Sequence, residues 1–515
     1  MYISTRDNYS AVVASEAIKL GMVPAGGLFV PQRLPRLSLK DLQAMGEGTY
    51  QETARKILGL YLEDFSAEAI AACVNQAYGP NFDKQEITPL HQLTDRLYVL
   101  ELWHGPTAAF KDLALQLMPL LFAQALKNLK VQQEIVILVA TSGDTGKAAL
   151  EGFKDVPGLK IICFYPYGGV SKVQERQMLT TGGNNTYVVG VKGNFDDCQN
   201  AVKAIFGDET FRRVLAEKGM ALSSANSINW GRLLPQIVYY VYTYAKLLAK
   251  GRIQPGEQVN FVVPTGNFGN ILAAWYAGRM GVPVHKLICA SNENKVLTDF
   301  FRTGRYEKNR PFKRTNSPSM DILISSNLER FLFEITGRRG DLIAQWMKEL
   351  QEKGTFTVNV KVQEEMRQVL WAGWADEQET LATIKETFAE KGYLLDTHTA
   401  VGMKVYRQYQ AETADQTVTV LDATASPFKF ASSVWEAIRE LKDAGKKEPG
   451  ARASGENKEF EQEFDNEFDL LRKLSVSTGI PVHPALSELK QQPVRHKRVC
   501  ATGEIKQEIE DILGI

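Results

Sequence analysis

The sequence predicts an α/β protein in which parallel sheets are flanked by helices on both faces. Short β-branched runs alternate along most of the chain with longer amphipathic segments, and strands that are separated by helices pair in parallel. The runs are RLYVLEL, IVILVA, KIICFYP, TYVVGV, VNFVVP, VHKLICA and TVTVLDA. Ligand sites in such folds lie at the carboxyl ends of the strands, so the segments that follow these runs are the candidates for function.

A small helical domain is predicted at the amino-terminal end, over residues 1–95. Apolar residues recur there at helical spacing in AVVASEAIKLGM, TARKILGLYLEDF and AEAIAACVNQAYG, and a Pro- and Gly-rich stretch from Val23 to Leu37 interrupts the pattern. The strand-rich part is predicted to form an α/β core of two lobes over residues 96–430. Residues 431–515 are predicted to form a helical extension, to which we assign no functional residue.

Composition excludes several classes of protein. The chain has 515 residues, which at about 150 residues per domain allows several domain-sized units and a large core. Sixty Lys and Arg residues balance sixty Asp and Glu residues, so no overall positive field draws the chain to nucleic acid or acidic lipid. The longest apolar runs have the length of buried strands, short of the ~20 residues of a membrane span. We therefore expect neither nucleic acid nor a membrane as a partner.

The cysteines and histidines argue against a disulfide framework and a metal site. The five cysteines are widely spaced without a CxxC pair, and the histidines considered show no mutual ligand spacing. These residues are Cys73, Cys163, Cys198, Cys289 and Cys500, and His91, His285, His398, His483 and His496. The first residues also lack the apolar region of a secretory signal and the composition of a transit peptide. We therefore expect a cytoplasmic protein without a metal.

The first of four candidate functional clusters runs from Glu101 to Leu126. A predicted turn from His104 to Thr107 follows a strand, and the helical spacing of the next residues places Lys111 near a helix start. A cation there opposes the helix dipole unless it is neutralised, and desolvated lysines are the usual residues that form an imine with a carbonyl cofactor. The alternative is an exposed lysine beside Asp112.

The second cluster is a turn with the sequence TSGDTG, from Thr141 to Gly146, before a helix predicted from about Lys147. Successive backbone N–H groups and hydroxyls in such a turn face an anion. A nucleotide P-loop is unlike it, because that motif needs Gly where Thr141 stands and Ser or Thr where Ala148 stands. A carboxylate, which is planar and accepts two hydrogen bonds side by side, suits the turn.

The third cluster is TGNFGN, from Thr265 to Asn270, between a strand and a helix. Its two glycines allow close backbone approach, and the helix dipole adds positive potential, so a phosphate monoester is the expected ligand. The GxGxxG fingerprint of dinucleotide-binding proteins is absent. The alternative is a glycine-rich turn without a ligand.

The fourth cluster precedes a strongly apolar helix. Asn226, Ser227, Asn229 and Arg232 concentrate polar groups where a helix N-cap would need only one of them. An arginine at a helix start is unfavourable unless it meets an anion, and its guanidinium suits phosphate. The alternative is capping together with a surface salt bridge.

Polar residues also follow the last of the strand-like runs. Asp422, Thr424 and Ser426 lie there, and Ser426 is predicted to be the N-cap of a helix whose first residue is Pro427. This capping role does not exclude that one of the hydroxyls also contacts a ligand. The GxSxG elbow of serine hydrolases is absent.

Two stretches are predicted to be peripheral. The basic, turn-rich segment from Arg302 to Ser319 is interpreted as a solvated loop, with a mobile cover over an anionic ligand as the alternative. The segment from Leu441 to Phe468, rich in Lys, Glu, Asp and Gly, is predicted to form a charged, exposed helix and loop without chemistry.

The motifs HGPTAAFKD, TSGDTGKAA, NSINWGR and PTGNFGN together resemble those of the threonine synthases. These are pyridoxal-phosphate enzymes of fold type II, the fold of the tryptophan synthase β subunit. The resemblance extends from Ser4-Thr5-Arg6 to the ATASPFKF motif that ends at Phe430, which is most of the chain. It implies pyridoxal 5'-phosphate as the cofactor, with Lys111 as the catalytic residue that forms a Schiff base with it and Phe110 at its side.

The resemblance also implies the remaining ligand-binding residues. The cofactor phosphate would be held by Gly266, Asn267, Phe268, Gly269 and Asn270. The substrate would be bound by Ser142, Gly143, Thr145, Asn226, Ser227, Asn229 and Arg232. Thr424, or alternatively Ser426, would face the pyridine nitrogen of the cofactor, and Asp144 would lie near the phenolic oxygen.

One residue departs from a pattern common in this fold. Related enzymes often have Asn where Asp144 stands, and that Asn donates a hydrogen bond to the phenolic oxygen of the cofactor. An ionised Asp cannot donate to an oxyanion. Asp144 is therefore expected to be protonated, to point elsewhere, or to bond to another group.

The implied reaction is the last step of threonine biosynthesis, in which O-phospho-L-homoserine and water give L-threonine and phosphate by γ-elimination and β-addition. Lys111 would take the α proton of the substrate and return protons later. The alternatives are another lyase of this fold, such as a threonine dehydratase, and a non-catalytic protein that binds phosphorylated amino acids. The expected assembly is a monomer or a small homo-oligomer.

Overall fold

The computed structural model describes residues 1–443 and 467–515. Most of the segment from Leu441 to Phe468 lies outside the described residues, so the charged helix and loop predicted there are not tested. The strands are β1 Tyr2–Ser4, β2 Phe29–Pro31, β3 Leu90–Gln92, β4 Leu97–Glu101, β5 Glu134–Ala140, β6 Leu159–Pro166, β7 Thr186–Lys192, β8 Met220–Ser223, β9 Val259–Pro264, β10 Val284–Ser291, β11 Arg305–Glu307, β12 Thr355–Thr357, β13 Leu370–Trp374, β14 Thr419–Ala423 and β15 Arg498–Ala501.

The helices connect these strands and cover the sheets. They are α1 Ala14–Leu20, α2 Leu39–Glu47, α3 Tyr50–Tyr61, α4 Ala67–Ala77, α5 Lys111–Leu115, α6 Met118–Asn128, α7 Asp144–Phe153, α8 Lys172–Leu179, α9 Phe195–Gly207, α10 Glu209–Glu217, α11 Trp230–Ala249, α12 Gly269–Met280, α13 Val296–Thr303, α14 Leu328–Ile335, α15 Gly340–Glu352, α16 Val360–Val369, α17 Glu377–Lys391, α18 Thr397–Thr413, α19 Ala431–Asp443, α20 Glu467–Thr478, α21 Pro484–Ser487 and α22 Ile505–Leu513. Short 3₁₀ helices lie at Pro318–Met320, Pro427–Phe430 and Thr502–Glu504.

Two larger sheets form the core of the described chain. One has the strand order β13-β10-β9-β14-β4-β3 and the other the order β15-β7-β6-β5-β8. Every neighbouring pair is parallel except β3 with β4, which is antiparallel. All seven runs predicted from the sequence are strands in these sheets, which confirms the α/β fold class.

The amino-terminal part contains the predicted helices, because local signals specify them well. Ser38, Thr49 and Ser66 each accept a hydrogen bond from a backbone N–H in the first turn of α2, α3 and α4. An antiparallel pair of β1 and β2 was not predicted. The hydrophobic core is continuous from these helices to α11, and the domain boundary near residue 95 stays a prediction.

The helix after Lys111 is interrupted, whereas the sequence pattern predicts one continuous helix. The short α5 ends at Leu115, and α6 begins at Met118 with Pro119 in its first turn. Proline lacks the N–H that a helix interior requires, so it is favoured at a helix start. The break leaves Lys111 on a short helix of its own.

The carboxyl-terminal residues complete one of the sheets. β15 pairs in parallel with β7 at the edge of the sheet, and α22 buries Ile505 and Ile509 beneath it. The strand was not predicted, because RVCA is too short to give a periodic signal.

All five cysteines are buried and unpaired. Among the described residues, no helix has the length and apolar character to cross a membrane, and no set of His, Cys, Asp and Glu is grouped to hold a metal.

The longest helix, α11, lies in the middle of the protein and is buried along most of its length. Helix α2 crosses it so closely that a Cβ on Gly46 would lie 2.5 Å from the carbonyl oxygen of Ala245. Only glycine permits this approach, because a backbone oxygen cannot rotate away as a side chain can.

We expect Gly46→Ala to lower the free energy of unfolding by about 1–3 kcal/mol, because the added methyl group pushes α2 away from α11. Chemical denaturation monitored by fluorescence measures the change. Gly59→Ala is the matched control, since a Cβ on this exposed glycine of α3 meets nothing within 4 Å. The control should be neutral or stabilise by up to about 1 kcal/mol. Equal effects of the two substitutions would contradict the close packing.

Candidate active site

The site lies at the carboxyl ends of the parallel strands, where four segments meet. β14 lies between β4 and β9 in the six-stranded sheet, so the residues that follow these three strands are neighbours. The backbone N–H of Phe110 donates to the carbonyl oxygen of Thr424 at 2.8 Å. The turn that follows β5 in the other sheet brings Asp144 to within 3.6 Å of the Lys111 amine. The sheets thus converge on Lys111.

Lys111 is buried at the start of α5, so the alternative of an exposed lysine beside Asp112 is wrong. Its Nζ donates to Oγ of Ser319 at 3.0 Å and lies 3.6 Å from Oδ2 of Asp144. Burial lowers the pKa of Lys111 to about 8; the charge of Asp144 opposes this shift. The charges of Lys429 and Arg232 lower the pKa further. A lysine in this state is basic enough to bind a proton and neutral often enough to be a nucleophile.

The neighbouring Asp112 has a structural role. Its carboxylate accepts hydrogen bonds from the backbone N–H and Oγ1 of Thr107, at 2.8 and 2.6 Å. Burial raises the pKa of Asp112 to about 6, against the effect of these hydrogen bonds. The residue therefore fixes the HGPT turn that precedes Lys111.

Asp144 bonds to another group, which is one of the three alternatives that the sequence left open. Its Oδ1 lies 2.7 Å from Nζ of Lys429 and accepts from Nε2 of Gln174 at 2.9 Å. Its Oδ2 accepts from Oγ of Ser319 at 3.3 Å. Burial alone would raise the pKa of Asp144, but the charges of Lys429 and Lys111 hold it well below its usual range. The carboxylate is therefore ionised.

Ser319, the last residue of the basic segment, lies in the site. This segment was interpreted as a solvated loop, and the position of Ser319 was not predicted. The hydroxyl of Ser319 contacts both Lys111 and Asp144, and its backbone N–H donates to Nε2 of His398 at 3.1 Å. Nδ1 of His398 lies 2.9 Å from Oδ1 of Asp396, so the imidazole carries its proton on that side and accepts on the other. Asp396 and His398 thereby hold Ser319 beside Lys111.

Two cations of the basic segment form ion pairs with acidic residues outside it. Arg310 pairs with Asp299 at 2.7 Å, and Lys313 pairs with Glu293 at 2.8 Å. The sequence did not identify His398 or Ser319 as site residues, because each is brought to Lys111 only by the fold. No local pattern around either residue signals this contact.

The turn after β9 has the geometry of a phosphate cradle. Phe268 adopts a left-handed conformation, φ 62°, as the N-cap of α12, and its side chain makes no capping hydrogen bond. The first-turn N–H groups of α12 have no intrahelical partner and face outward from the helix end. A Cβ on Gly266 would lie 2.8 Å from the carbonyl oxygen of Ser319, so this position has room for glycine only. Asn267 is exposed, and Gly269 is half-buried at the helix start.

The side chain of Asn270 points below this turn. Its Oδ1 accepts from the hydroxyls of Tyr239 and Tyr240, and its Nδ2 donates to Oδ2 of Asp422 at 3.1 Å. Burial raises the pKa of Asp422 to about 7. The side chain of Asn270 is therefore bonded to protein groups, and its backbone N–H belongs to the first turn of α12.

The TSGDTG turn presents a second helix start, and α7 begins at Asp144 rather than at Lys147. Oγ1 of Thr141 accepts from the N–H groups of Gly143 and Gly146, at 3.0 and 2.9 Å. A Cβ on Gly143 would lie 2.6 Å from the side chain of Gln174. Ser142 is exposed and Thr145 is half-buried, so the open edge of the turn carries both hydroxyls.

Among the polar residues of the fourth cluster, Arg232 is the one whose side chain remains available to bind an anion. It is buried, and its Nη1 donates to the carbonyl oxygen of Ala225 at 2.9 Å. Burial lowers the pKa of Arg232 to about 10. Within residues 1–443 and 467–515 no carboxylate forms a salt bridge with it, so the alternative of a surface salt bridge is wrong.

The other three residues of this cluster differ in their surroundings. Asn229 is the N-cap of α11: its Oδ1 accepts from the N–H of Gly231 at 2.8 Å, and its Nδ2 donates to the carbonyl oxygen of Ile18 at 2.9 Å. Asn226 is exposed, and Oγ of Ser227 lies 3.2 Å from Oγ of Ser326.

Thr424 and Ser426 are both buried beyond the end of β14. The predicted position of Ser426 as the N-cap before Pro427 is confirmed, in the 3₁₀ helix Pro427–Phe430, but its hydroxyl forms no capping hydrogen bond. The buried Oγ of Ser426 has no hydrogen-bond partner among the described residues. A buried hydroxyl without a hydrogen-bond partner lowers the stability of the folded state. We infer that a ligand supplies the missing hydrogen bond.

These residues fit pyridoxal phosphate. The amine of Lys111 matches the aldehyde, the α12 start matches the phosphate, and the hydroxyls of Thr424 and Ser426 match the pyridine nitrogen. The donors lie at the ends of adjacent strands, so they could contact one ligand at once. Asp144 cannot donate to the phenolic oxygen, because its carboxylate is ionised.

Three family models match the chain. They are "Threonine synthase N terminus" over residues 1–78, "Pyridoxal-phosphate dependent enzyme" over residues 82–358 and "Threonine synthase, C-terminal" over residues 399–471.

Similar proteins agree with these matches. A threonine synthase of Schizosaccharomyces pombe is 38% identical, over 86% of this chain and 90% of its own length. A threonine synthase of Pseudomonas aeruginosa is 39% identical, over 85% and 90%. The human protein named threonine synthase-like 1 is 39% identical over 99% of this chain, which spans 68% of that protein. Among solved structures, pyridoxal-phosphate-bound threonine synthase from Brucella melitensis has a TM-score of 0.84 and 35% identity, over 99% of this chain and 98% of its own. The yeast enzyme has a TM-score of 0.85 and 32% identity, over 100% and 98%.

We expect Asn229→Ala to lower the free energy of unfolding by about 1–2 kcal/mol, because the substitution removes the cap of α11 and the hydrogen bond to α1. Thermal and chemical denaturation of the purified variant measure the loss. Asn226→Ala, at an exposed position of the same segment, should change stability by less than about 0.5 kcal/mol. A stability of Asn229→Ala equal to that of the control would contradict the capping role.

Proposed function

This chain belongs to the threonine synthase family of pyridoxal-phosphate-dependent enzymes, and we propose that it converts O-phospho-L-homoserine and water to L-threonine and inorganic phosphate. The observation that carries the proposal is the position of one buried amine, Lys111, among several anion-binding groups. Two helix starts whose N-cap residues form no capping hydrogen bond lie around it, together with a buried arginine that has no acidic partner among the described residues. The reaction needs such a set, since cofactor and substrate bring two phosphates and a carboxylate.

In this proposal Lys111 holds the cofactor, with Phe110 beside it. The backbone from Gly266 to Asn270 holds the cofactor phosphate, and Thr424 or Ser426 donates to or accepts from the pyridine nitrogen. Bound pyridoxal phosphate supplies an electron sink for negative charge that develops at the substrate Cα. A hydroxyl opposite the ring nitrogen, in place of a carboxylate, leaves that nitrogen without a full counter-charge.

The substrate carboxylate is assigned to the TSGDTG turn. Ser142 and Thr145 place hydroxyls at the open edge of this turn, and the first-turn N–H groups of α7 add donors with the favourable end of the helix dipole. Gly143 has no side chain of its own, because a Cβ there would lie 2.6 Å from the side chain of Gln174. The pairing of this carboxylate with neutral donors leaves the cationic groups of the site for phosphate.

The substrate phosphate is assigned to Arg232, with Asn226 and Ser227 at the same helix start. A desolvated guanidinium with a single backbone hydrogen bond favours an anion, and its planar donors match phosphate oxygens. Asn229 acts indirectly by holding the start of α11.

The proton transfers are assigned to Nζ of Lys111. Because burial lowers its pKa to about 8, about a tenth of the amine is neutral at pH 7 and can accept the α proton of the substrate. The same group, once protonated, can return a proton. Ser319 and Asp144 orient the amine through the contacts described above.

A threonine dehydratase is the second candidate within this fold. Arg232 favours a phosphorylated substrate over threonine, which has no second anion for the guanidinium to bind. The two activities are separated by their products, phosphate from O-phospho-L-homoserine or 2-oxobutanoate from threonine. A non-catalytic binding protein is disfavoured by the buried amine of Lys111.

The expected surroundings of the enzyme are also proposals. Five buried, unpaired cysteines are consistent with a reducing compartment, which supports a cytoplasmic location. We retain a monomer or small homo-oligomer as the proposed assembly.

We expect Lys111→Ala to reduce phosphate release from O-phospho-L-homoserine by a factor of about a thousand or more, because the substitution removes the proton carrier. Phosphate and threonine are measured in the presence of added cofactor. Lys385→Ala, at a lysine on α17 that pairs with Glu440, is the control and should retain activity. Borohydride treatment of the unsubstituted protein should fix the cofactor mass on the peptide that contains Lys111. Full activity of Lys111→Ala, or label at another lysine, contradicts the assignment.

Arg232→Met should raise KM for O-phospho-L-homoserine by about 10–100-fold, because it removes a charge-assisted hydrogen bond to the phosphate. Steady-state kinetics give the change. Arg407→Met, which breaks an ion pair with Glu386 on the helical surface, is the matched control. An unchanged KM in Arg232→Met would remove the arginine from the substrate site.

A further inference from the structure

Lys429 is a charged residue of the site to which the sequence analysis assigned no role. It lies in the 3₁₀ helix after β14, and its side chain is 0% exposed. Its Nζ lies 2.7 Å from Oδ1 of Asp144 and donates to the carbonyl oxygen of Thr107 at 2.9 Å. An ammonium group buried this deeply costs several kcal/mol unless it is paired, so a purely packing role would be served better by an apolar residue.

The contacts of Lys429 make Asp144 a carboxylate shared by two amines. Oδ1 faces Lys429, whereas Oδ2 faces Lys111 at 3.6 Å, with the Ser319 hydroxyl between them. The titratable and charged groups that face Lys111 come from each surrounding element. They are Asp144 on α7, Arg232 on α11, Lys429 on the 3₁₀ helix and, through Ser319, His398 on α18. Asp112 on α5 bonds to Thr107; burial raises the pKa of its carboxyl group, and the charge of Lys429 opposes this shift.

We propose that Lys429 is a positioning residue, whose ammonium shares the Asp144 carboxylate with Lys111 and so leaves the Lys111 amine free to release and accept a proton. This inference rests on the proposed function, because it assigns a role in the proton transfers of Lys111. Lys429 acts on Lys111 through the carboxylate of Asp144, which lies near both amines.

Lys429 changes the electrostatic potential at the Lys111 amine. If Lys429 were neutral, the whole charge of Asp144 would stabilise the ammonium form of Lys111, and the repulsion between the two cations would also disappear. Both changes act in the same direction and hold the proton on Lys111. If Asp144 were neutral, Lys429 and Arg232 would act unopposed, and Lys111 would lose its proton at lower pH.

The test measures the titration of Lys111 in the full chain freed of cofactor. Cyanate carbamylates neutral amines and is small enough to reach a buried lysine, so the rate of labelling at Lys111 against pH, read by peptide mass spectrometry, gives the midpoint. The variants are Lys429→Met, Asp144→Asn and the control Lys385→Met. The assay contains no substrate, so its outcome is independent of whether the chain acts on O-phospho-L-homoserine.

We expect Lys429→Met to move the midpoint upward by about one pH unit or more, which slows labelling about tenfold below the midpoint. Asp144→Asn should move it downward, and Lys385→Met should leave it in place. In the holoenzyme, Lys429→Met should move the acidic limb of the pH profile of kcat upward in the same sense. An unchanged midpoint in Lys429→Met would overturn the proposal. If that variant does not fold, a midpoint of Asp144→Asn that is unchanged or raised would overturn it.

Discussion

The site depends on one buried carboxylate held between two buried amines. Asp144 pairs with Lys429 at 2.7 Å and lies 3.6 Å from Lys111, so neither lysine is left as an isolated charge in the core. Its position follows from the fold, since Asp144 starts a helix of one sheet, while both lysines follow strands of the other. Loss of this carboxylate would leave two ammonium groups without compensation, which favours the release of a proton from Lys111.

The fold was largely predictable, because strands and helices leave periodic signals in the sequence. Buried runs such as IVILVA and VNFVVP are strands of parallel sheets, as their composition indicates. What could not be predicted has no local signal. β15 is a short edge strand that exists only because β7 offers it a partner, and the break between α5 and α6 depends on Pro119 within an otherwise helical pattern.

The candidate site was predicted where its residues belong to motifs. Lys111, the turn after β9 and Arg232 occupy helix starts that the spacing identified. Ser319 and His398 were missed because long-range contacts alone bring them to Lys111. Lys429 lies in the ATASPFKF motif but was missed because only the fold brings its side chain to Asp144. Asn229 and Asn270 belong to predicted motifs, but their side chains bond to protein groups. Asn229 donates to the carbonyl oxygen of Ile18, and Asn270 donates to Asp422. Motif membership therefore identified the segments of the site, and the fold decided which atoms face the ligands.

We expect the cofactor to be attached to the amine of Lys111. Lys429 should remain paired with Asp144 when the cofactor is bound. A crystal structure of the protein with bound pyridoxal phosphate tests both expectations at once. We expect continuous density from Nζ of Lys111 to the cofactor, the cofactor phosphate at the start of α12, and an unbroken contact between Lys429 and Asp144. Density that joins the cofactor to another side chain, or Lys429 turned away from Asp144, would contradict these expectations.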